Sequence, residues 1–222
     1  MTTEPLPYVE RPAAGTPAGA LILLHGRGAD EHDLQPVLEA LDPERRLLGL
    51  TVGGPLFLPP GGRHWYVVPR VGYPDPATFT ATYAQLTAFL DGWLAEHGID
   101  WSRTVIGGFS QGTVMSYSVG LGPGRPSPAG ILAMSGFIPI VEGWRPDLAG
   151  REGLPVAIVH GRRDPIMEIG FARRAKDALE AGGLNVTYHE TDAAHHVEPR
   201  LIPELQRWVA DRVPALSPDA PG

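Results

Sequence analysis

No cysteine occurs in the 222 residues, and that absence excludes a disulfide framework, a thiolate–zinc site and a cysteine nucleophile. Any covalent catalysis must use another residue. Lysine is almost as scarce. Lys176 is the only one and lies in a charged helical stretch, which leaves a serine–lysine dyad or a Schiff base one poor candidate. No run of 18 or more apolar residues is present, and the opening MTTEPLPYVERPAAG has no basic region followed by an apolar stretch. Neither a membrane span nor a signal peptide is therefore indicated, and a cytoplasmic location is expected. An excess of positive charge is also missing: 25 acidic against 18 basic side chains give a net charge of −7. A nucleic-acid partner, which needs a clustered basic footprint, is not expected. Glycine and proline are plentiful, at 28 and 24 residues, and a hydrophobic share of 43% is enough for a core. The length suits one domain, residues 1–213, and the Pro-rich end PALSPDAPG (214–222) reads as a disordered tail.

Short apolar runs alternate with helical patterns along the chain. Strands are predicted at Ala20–Gly26, Arg46–Pro55, Arg103–Ser110, Ala129–Gly136, Leu154–Gly161 and Asn185–Thr191. Most are apolar throughout, which suits parallel strands covered on both faces. Helices are predicted at Leu34–Leu41, Thr78–His97, Gln111–Leu121, Ile169–Ala181 and Pro199–Val213. In the second of these, Phe79, Tyr83, Leu86, Leu90 and Trp93 form one stripe, and Gly98 closes it. Strand and helix in alternation predict an α/β fold with a mostly parallel central sheet and helices on both faces. The Gly- and Pro-rich stretch Gly53–Pro76 is too long for a plain connector and is expected to overhang a site; Ile138–Gly153 reads as a second excursion.

GGFSQG, residues 107–112, holds a GxSxG pattern on Gly108, Ser110 and Gly112. The pattern turns a strand sharply into a helix and lifts the serine hydroxyl above the sheet edge. Alone the pattern is a weak signal in so Gly-rich a chain, but here a strand-like TVIGG precedes it and a helical QGTVMSYSVGL follows. A serine needs an imidazole base, and the base needs a carboxylate that orients it. Asp164, a few residues past the run Pro155–His160, is the candidate acid, and Asp192 competes with it. His195 and His196 both follow the last predicted strand, and residue chemistry alone does not choose between them. The Arg27 and Gln111 amides are candidates for an oxyanion hole, with Gly26 and Gly28 giving the first loop its bend. A metal site built from HHVE and DEHD lacks the short helical spacing of a ligand pair, and GRGADE has Glu31 where a dinucleotide fingerprint needs its third glycine.

The segments LILLHGRGAD, GFSQGTVMSYSV, ILAMSGFIP, VHGRRDPIM and HHVEPRLIPELQRWV, in this order from Ala20 to Val209, together resemble the phospholipase/carboxylesterase family of α/β-hydrolases, which includes the acyl-protein thioesterases. The resemblance implies a compact α/β-hydrolase fold without a large cap domain. It also implies hydrolysis of carboxylic esters, extending to thioesters or lysophospholipids, with no cofactor and no metal. It places the nucleophile on Ser110, the acid on Asp164 and the histidine on His195, because Val197 and Trp208 then match without a gap. The oxyanion donors fall on Arg27 and Gln111. Trp65 and Tyr66 resemble the family's substrate-groove loop, and Phe137, Ile166 and Met167 are expected to complete an apolar groove with them. Arg27, Thr113 and Ala194 depart from the residues usual in the family. The expected partner is a small-molecule ester, and a homodimer is left open. A peptidase of the same fold and a catalytically silent binding protein are the alternatives.

Overall fold

Apolar runs of five to seven residues, hydrophobic on both faces, are stable only when both faces are covered. In the computed structural model, which describes residues 5–215, they form the middle of a seven-stranded sheet ordered β1-β3-β2-β6-β7-β8-β9. The strands are β1 (Tyr8–Arg11), β2 (Ala20–Leu24), β3 (Leu48–Val52), β6 (Thr104–Phe109), β7 (Gly130–Met134), β8 (Pro155–Gly161) and β9 (Asn185–Thr191). All are parallel except β1, which pairs antiparallel with β3 along the edge. Residues 216–222, most of the tail expected to be disordered, lie outside the described residues.

The pleat sorts side chains to two cores. On β2, Ala20, Ile22 and Leu24 face a core shared with α2 (Pro76–Glu96), α3 (Gln111–Leu121) and α4 (Ile169–Ala181), whereas Leu21 and Leu23 face one shared with α1 (Gln35–Leu41) and α5 (Ile202–Arg212). Every residue of α3 is buried. Its sequence therefore shows no polar face, and its side chains after Gln111 are small, apolar or aromatic.

Three departures from the sequence expectation have a local reason. The second helix starts at Pro76, two residues before Thr78, because the Asp75 carboxylate caps it by accepting from the Thr78 amide at 2.8 Å and proline suits the first helical position. The last helix divides into a 3-10 turn, Pro199–Leu201, and α5, with Pro203 in the first turn where its missing N–H costs nothing. Inside the Gly53–Pro76 excursion, a hairpin of two-residue strands, β4 (Leu56–Phe57) and β5 (Arg63–His64), lies beside the loop that follows β2: Gly28 donates to the Arg63 carbonyl, and Arg63 to that of Ala29.

From β2 the sheet continues through β3 on one side, and from β6 through β7 on the other. The loops leaving the carboxyl ends of β2 and β6 diverge there and open a crevice, the position at which open parallel sheets bind ligands.

Candidate active site

Ser110 stands at that crevice, at the junction of β6 and α3. Its backbone is in an uncommon region, φ 55° and ψ −117°. Such a conformation persists only where the surroundings enforce it. The Ser110 amide donates to the Met134 carbonyl at 3.0 Å, and the two flanking glycines let the turn close. A Cβ on Gly112 would lie 1.8 Å from the Leu24 carbonyl oxygen, and one on Gly108 would lie 2.4 Å from the backbone of Gly112. Thr113 ties the turn to the next strand: its hydroxyl lies 2.6 Å and 2.7 Å from the carbonyls of Gly108 and Met134 and accepts from the Met134 amide at 3.0 Å.

Two loops from the same sheet edge bring the other groups. His195, after β9, places Nε2 3.0 Å from the Ser110 Oγ. Its Nδ1 lies 2.6 Å from Oδ2 of Asp164, which follows β8. This assigns the Nδ1–H tautomer, with Nε2 free to accept. The other carboxylate oxygen, Oδ1, accepts from the Ile166 and Met167 amides, both at 2.8 Å. The Asp164 side chain is fully buried, and the Phe109 ring packs at 4.7 Å, centroid to centroid, against the imidazole of His195. The two competing residues lie elsewhere. His196 is exposed, and Asp192 is exposed and pairs with Arg162 at 3.0 Å.

Two buried histidines support these loops. His160, in β8, has Nε2 2.7 Å from the Met167 carbonyl and 3.7 Å from Asp164 Oδ2. Nε2 therefore carries the proton, and the buried Nδ1 has no partner among the described residues. His25 follows β2, with Nδ1 2.6 Å from the Gly26 carbonyl, while its Nε2 accepts from the Gly54 amide at 2.8 Å. Burial holds both imidazoles below the usual histidine range.

A cleft of about 470 Å³ opens over Ser110 and His195. Arg27, Gln111, Tyr66, Phe137, Ile166 and Met167 line it. Trp65 does not, which corrects the expectation drawn from the sequence. Its ring is fully buried at 5.2 Å from that of His25, and its Nε1 donates to the His25 carbonyl at 2.8 Å. The indole N–H needs a buried acceptor, and the one in reach lies beneath the cleft. The Gln111 side chain holds this segment from the other side: Oε1 accepts from the Trp65 amide and Nε2 donates to the Tyr66 carbonyl, both at 3.0 Å. Among the described residues no group of three or more His, Asp or Glu is arranged to hold a metal, and no helix is long and apolar enough to cross a membrane.

The sequence profile described as Phospholipase/Carboxylesterase matches residues 7–211. The chain belongs to the phospholipase/carboxylesterase family. Membership makes it a hydrolase of carboxylic esters. Relatives of this chain include the acyl-protein thioesterase 1 of Debaryomyces hansenii, 26% identical over 93% of this chain and 97% of that protein. Another is acyl-protein thioesterase 1 homolog 1 of Dictyostelium discoideum, 22% identical over 90% of this chain and 92% of that protein. Among solved structures, the Bacillus cereus carboxylesterase superposes with a TM-score of 0.81 at 26% identity, over 93% of this chain and 94% of that one. The sheet order and the helices on both faces are those of an α/β-hydrolase.

Family motifs did not point to four residues of the cleft wall, Val68, Arg70, Val71 and Gly72, which come from the Gly53–Pro76 excursion. Their signal was the length of that excursion, which indicated an overhang without naming side chains. The supporting roles of His25 and His160 had no sequence signal beyond their position at the ends of apolar runs.

Proposed function

We propose that the protein is a serine carboxylesterase working through Ser110, His195 and Asp164. The observation that carries this reading is the line of hydrogen bonds from the Ser110 Oγ to His195 Nε2 and from His195 Nδ1 to the buried Asp164. The Ser110 oxygen attacks the acyl carbonyl carbon while His195 Nε2 takes its proton. The tetrahedral oxyanion is received by the amides of Arg27 and Gln111. Gln111 is the first residue of α3, where a helix leaves its N–H groups without intrahelical acceptors. The imidazolium, stabilised by Asp164, then protonates the departing alkoxide, and the acyl group remains on Ser110 as an ester. Water enters, gives its proton to His195 and attacks the acyl carbon. Collapse of the second tetrahedral species returns the proton to Ser110 and releases the acid. Every proton moved in the cycle passes through His195 Nε2.

The apolar part of the substrate lies against Tyr66, Phe137, Ile166 and Met167. Because relatives carry the name acyl-protein thioesterase, the proposal extends to thioesters, whose acyl carbon is attacked in the same way. A fluorophosphonate probe tests the reading: it labels the native protein on one serine, and Ser110→Ala abolishes the label and lowers kcat on 4-nitrophenyl acetate by roughly 10⁴-fold or more. Labelling or turnover that survives Ser110→Ala refutes the mechanism.

A further inference from the structure

Two arginines, Arg27 and Arg70, line the cleft together with Ser110 and His195. Both are exposed. The guanidinium of Arg70 sits over the Tyr73 ring, 3.7 Å from its centroid, a contact that steadies the side chain and leaves its N–H donors without a partner among the described residues. Neither arginine has a carboxylate partner among the described residues, whereas Arg11, Arg63, Arg125, Arg162, Arg173 and Arg200 each pair with one. Among the described residues no Asp or Glu lines the cleft. The carboxylate behind it, Asp164, is occupied on both oxygens, by two backbone amides and by His195. In a protein of net charge −7, the fixed charges at the cleft are therefore two cations without counterions.

An unpaired guanidinium beside a binding cleft is matched by a planar or tetrahedral oxyanion, which accepts two of its N–H bonds at once. We infer that the cleft selects esters whose acyl or alcohol part carries such a group, a carboxylate or a phosphate, held by Arg27 and Arg70 while the apolar part lies against Phe137, Ile166 and Met167. This inference rests on the serine esterase reading, and adds to it the class of substrate. Because the arginines are exposed, their attraction is screened by salt.

Matched esters test it. With the anion on the alcohol side, 4-(carboxymethyl)phenyl acetate and 4-(phosphonomethyl)phenyl acetate are compared with 4-methylphenyl acetate. With the anion on the acyl side, mono-4-nitrophenyl adipate is compared with 4-nitrophenyl hexanoate. The expected result at low ionic strength is a kcat/KM ratio, anionic over neutral, of about tenfold or more for at least one pair, equivalent to about 1.4 kcal/mol. That ratio falls towards one in the double variant Arg27→Gln, Arg70→Gln and on addition of salt, and the preferred arm tells carboxylate from phosphate. A ratio of one or less for every pair, or a ratio the double variant leaves unchanged, overturns the inference. If the protein hydrolyses none of these esters, the esterase reading fails separately. The inference then stands or falls on calorimetry with uncleaved amides: adipic mono-4-nitroanilide must bind more tightly than hexanoic 4-nitroanilide, and equal affinity overturns it.

Discussion

His160 touches no substrate, yet its ring determines where the acid's loop rests. By donating to the Met167 carbonyl it fixes the segment whose Ile166 and Met167 amides grip Asp164 Oδ1. Replacing it with leucine leaves that carbonyl buried without a donor, at a cost of about 1–3 kcal/mol. The expected outcome for His160→Leu is a lower Tm together with a fall in kcat of roughly 10–100-fold at little-changed KM, as the carboxylate drifts from His195. His160→Gln, whose amide N–H reaches towards the same carbonyl, recovers most of the kcat. A lower Tm with full kcat would show that the ring serves stability alone. At this scale the sequence was partly legible. Ser110 announced itself because an elbow needs glycines on both sides, whereas the choice between His195 and His196 rests on which ring a loop turns inward, a tertiary fact that adjacent identical residues do not encode.

At the scale of elements, the site is held together where α3 meets the Gly53–Pro76 excursion. One side chain makes that joint: Gln111 accepts from the Trp65 amide and donates to the Tyr66 carbonyl. In Gln111→Ala the backbone N–H of residue 111 remains for the oxyanion, but two buried backbone groups of the excursion lose their partners, each worth about 1–3 kcal/mol. The variant is expected to lose roughly 2–6 kcal/mol in denaturant unfolding and to raise KM, because Tyr66 forms one wall of the cleft. An unchanged KM would mean that the wall is held by other contacts. The core strands and helices were readable because a both-faces-buried strand is apolar throughout and an amphipathic helix keeps its stripe. β1, β4 and β5 were not. β1 is an edge strand of four residues anchored by Arg11, whose guanidinium reaches Asp42 and the Leu47 carbonyl, and the hairpin strands are two residues each, too short for any periodicity. Trp65 was misplaced for a related reason: an aromatic in a Gly-rich loop looks free, but its indole N–H requires a buried acceptor, found at His25.

Over the whole molecule, three buried histidines link folding to pH. Burial lowers the pKa of His25, His64 and His160 below the ordinary 6.5, so the folded protein keeps these rings neutral where the unfolded chain protonates them. Above pH 6.5 both states are neutral and stability does not depend on these groups. As the pH falls below 6.5 the unfolded chain binds more protons than the folded one, and stability declines, by up to about 1.4 kcal/mol per pH unit for each histidine. A second loss comes lower. Glu190, bonded to Arg173, and Glu198, bonded to Arg200, are held at about 2 against an ordinary 4.5, so what they contribute is lost as the pH falls from 4.5 towards 2. The expected Tm profile is therefore level from pH 8 to about 6.5 and slopes downward immediately below it, two units before the carboxylates titrate. In His160→Gln the slope between pH 6.5 and 5 is shallower than that of the native protein, since one of the three neutral rings is gone. A native Tm that stays level down to pH 5 would show that the unfolded chain gains no proton that the folded protein lacks, and would place a charged imidazole behind Asp164 or beside the loop that carries Arg27.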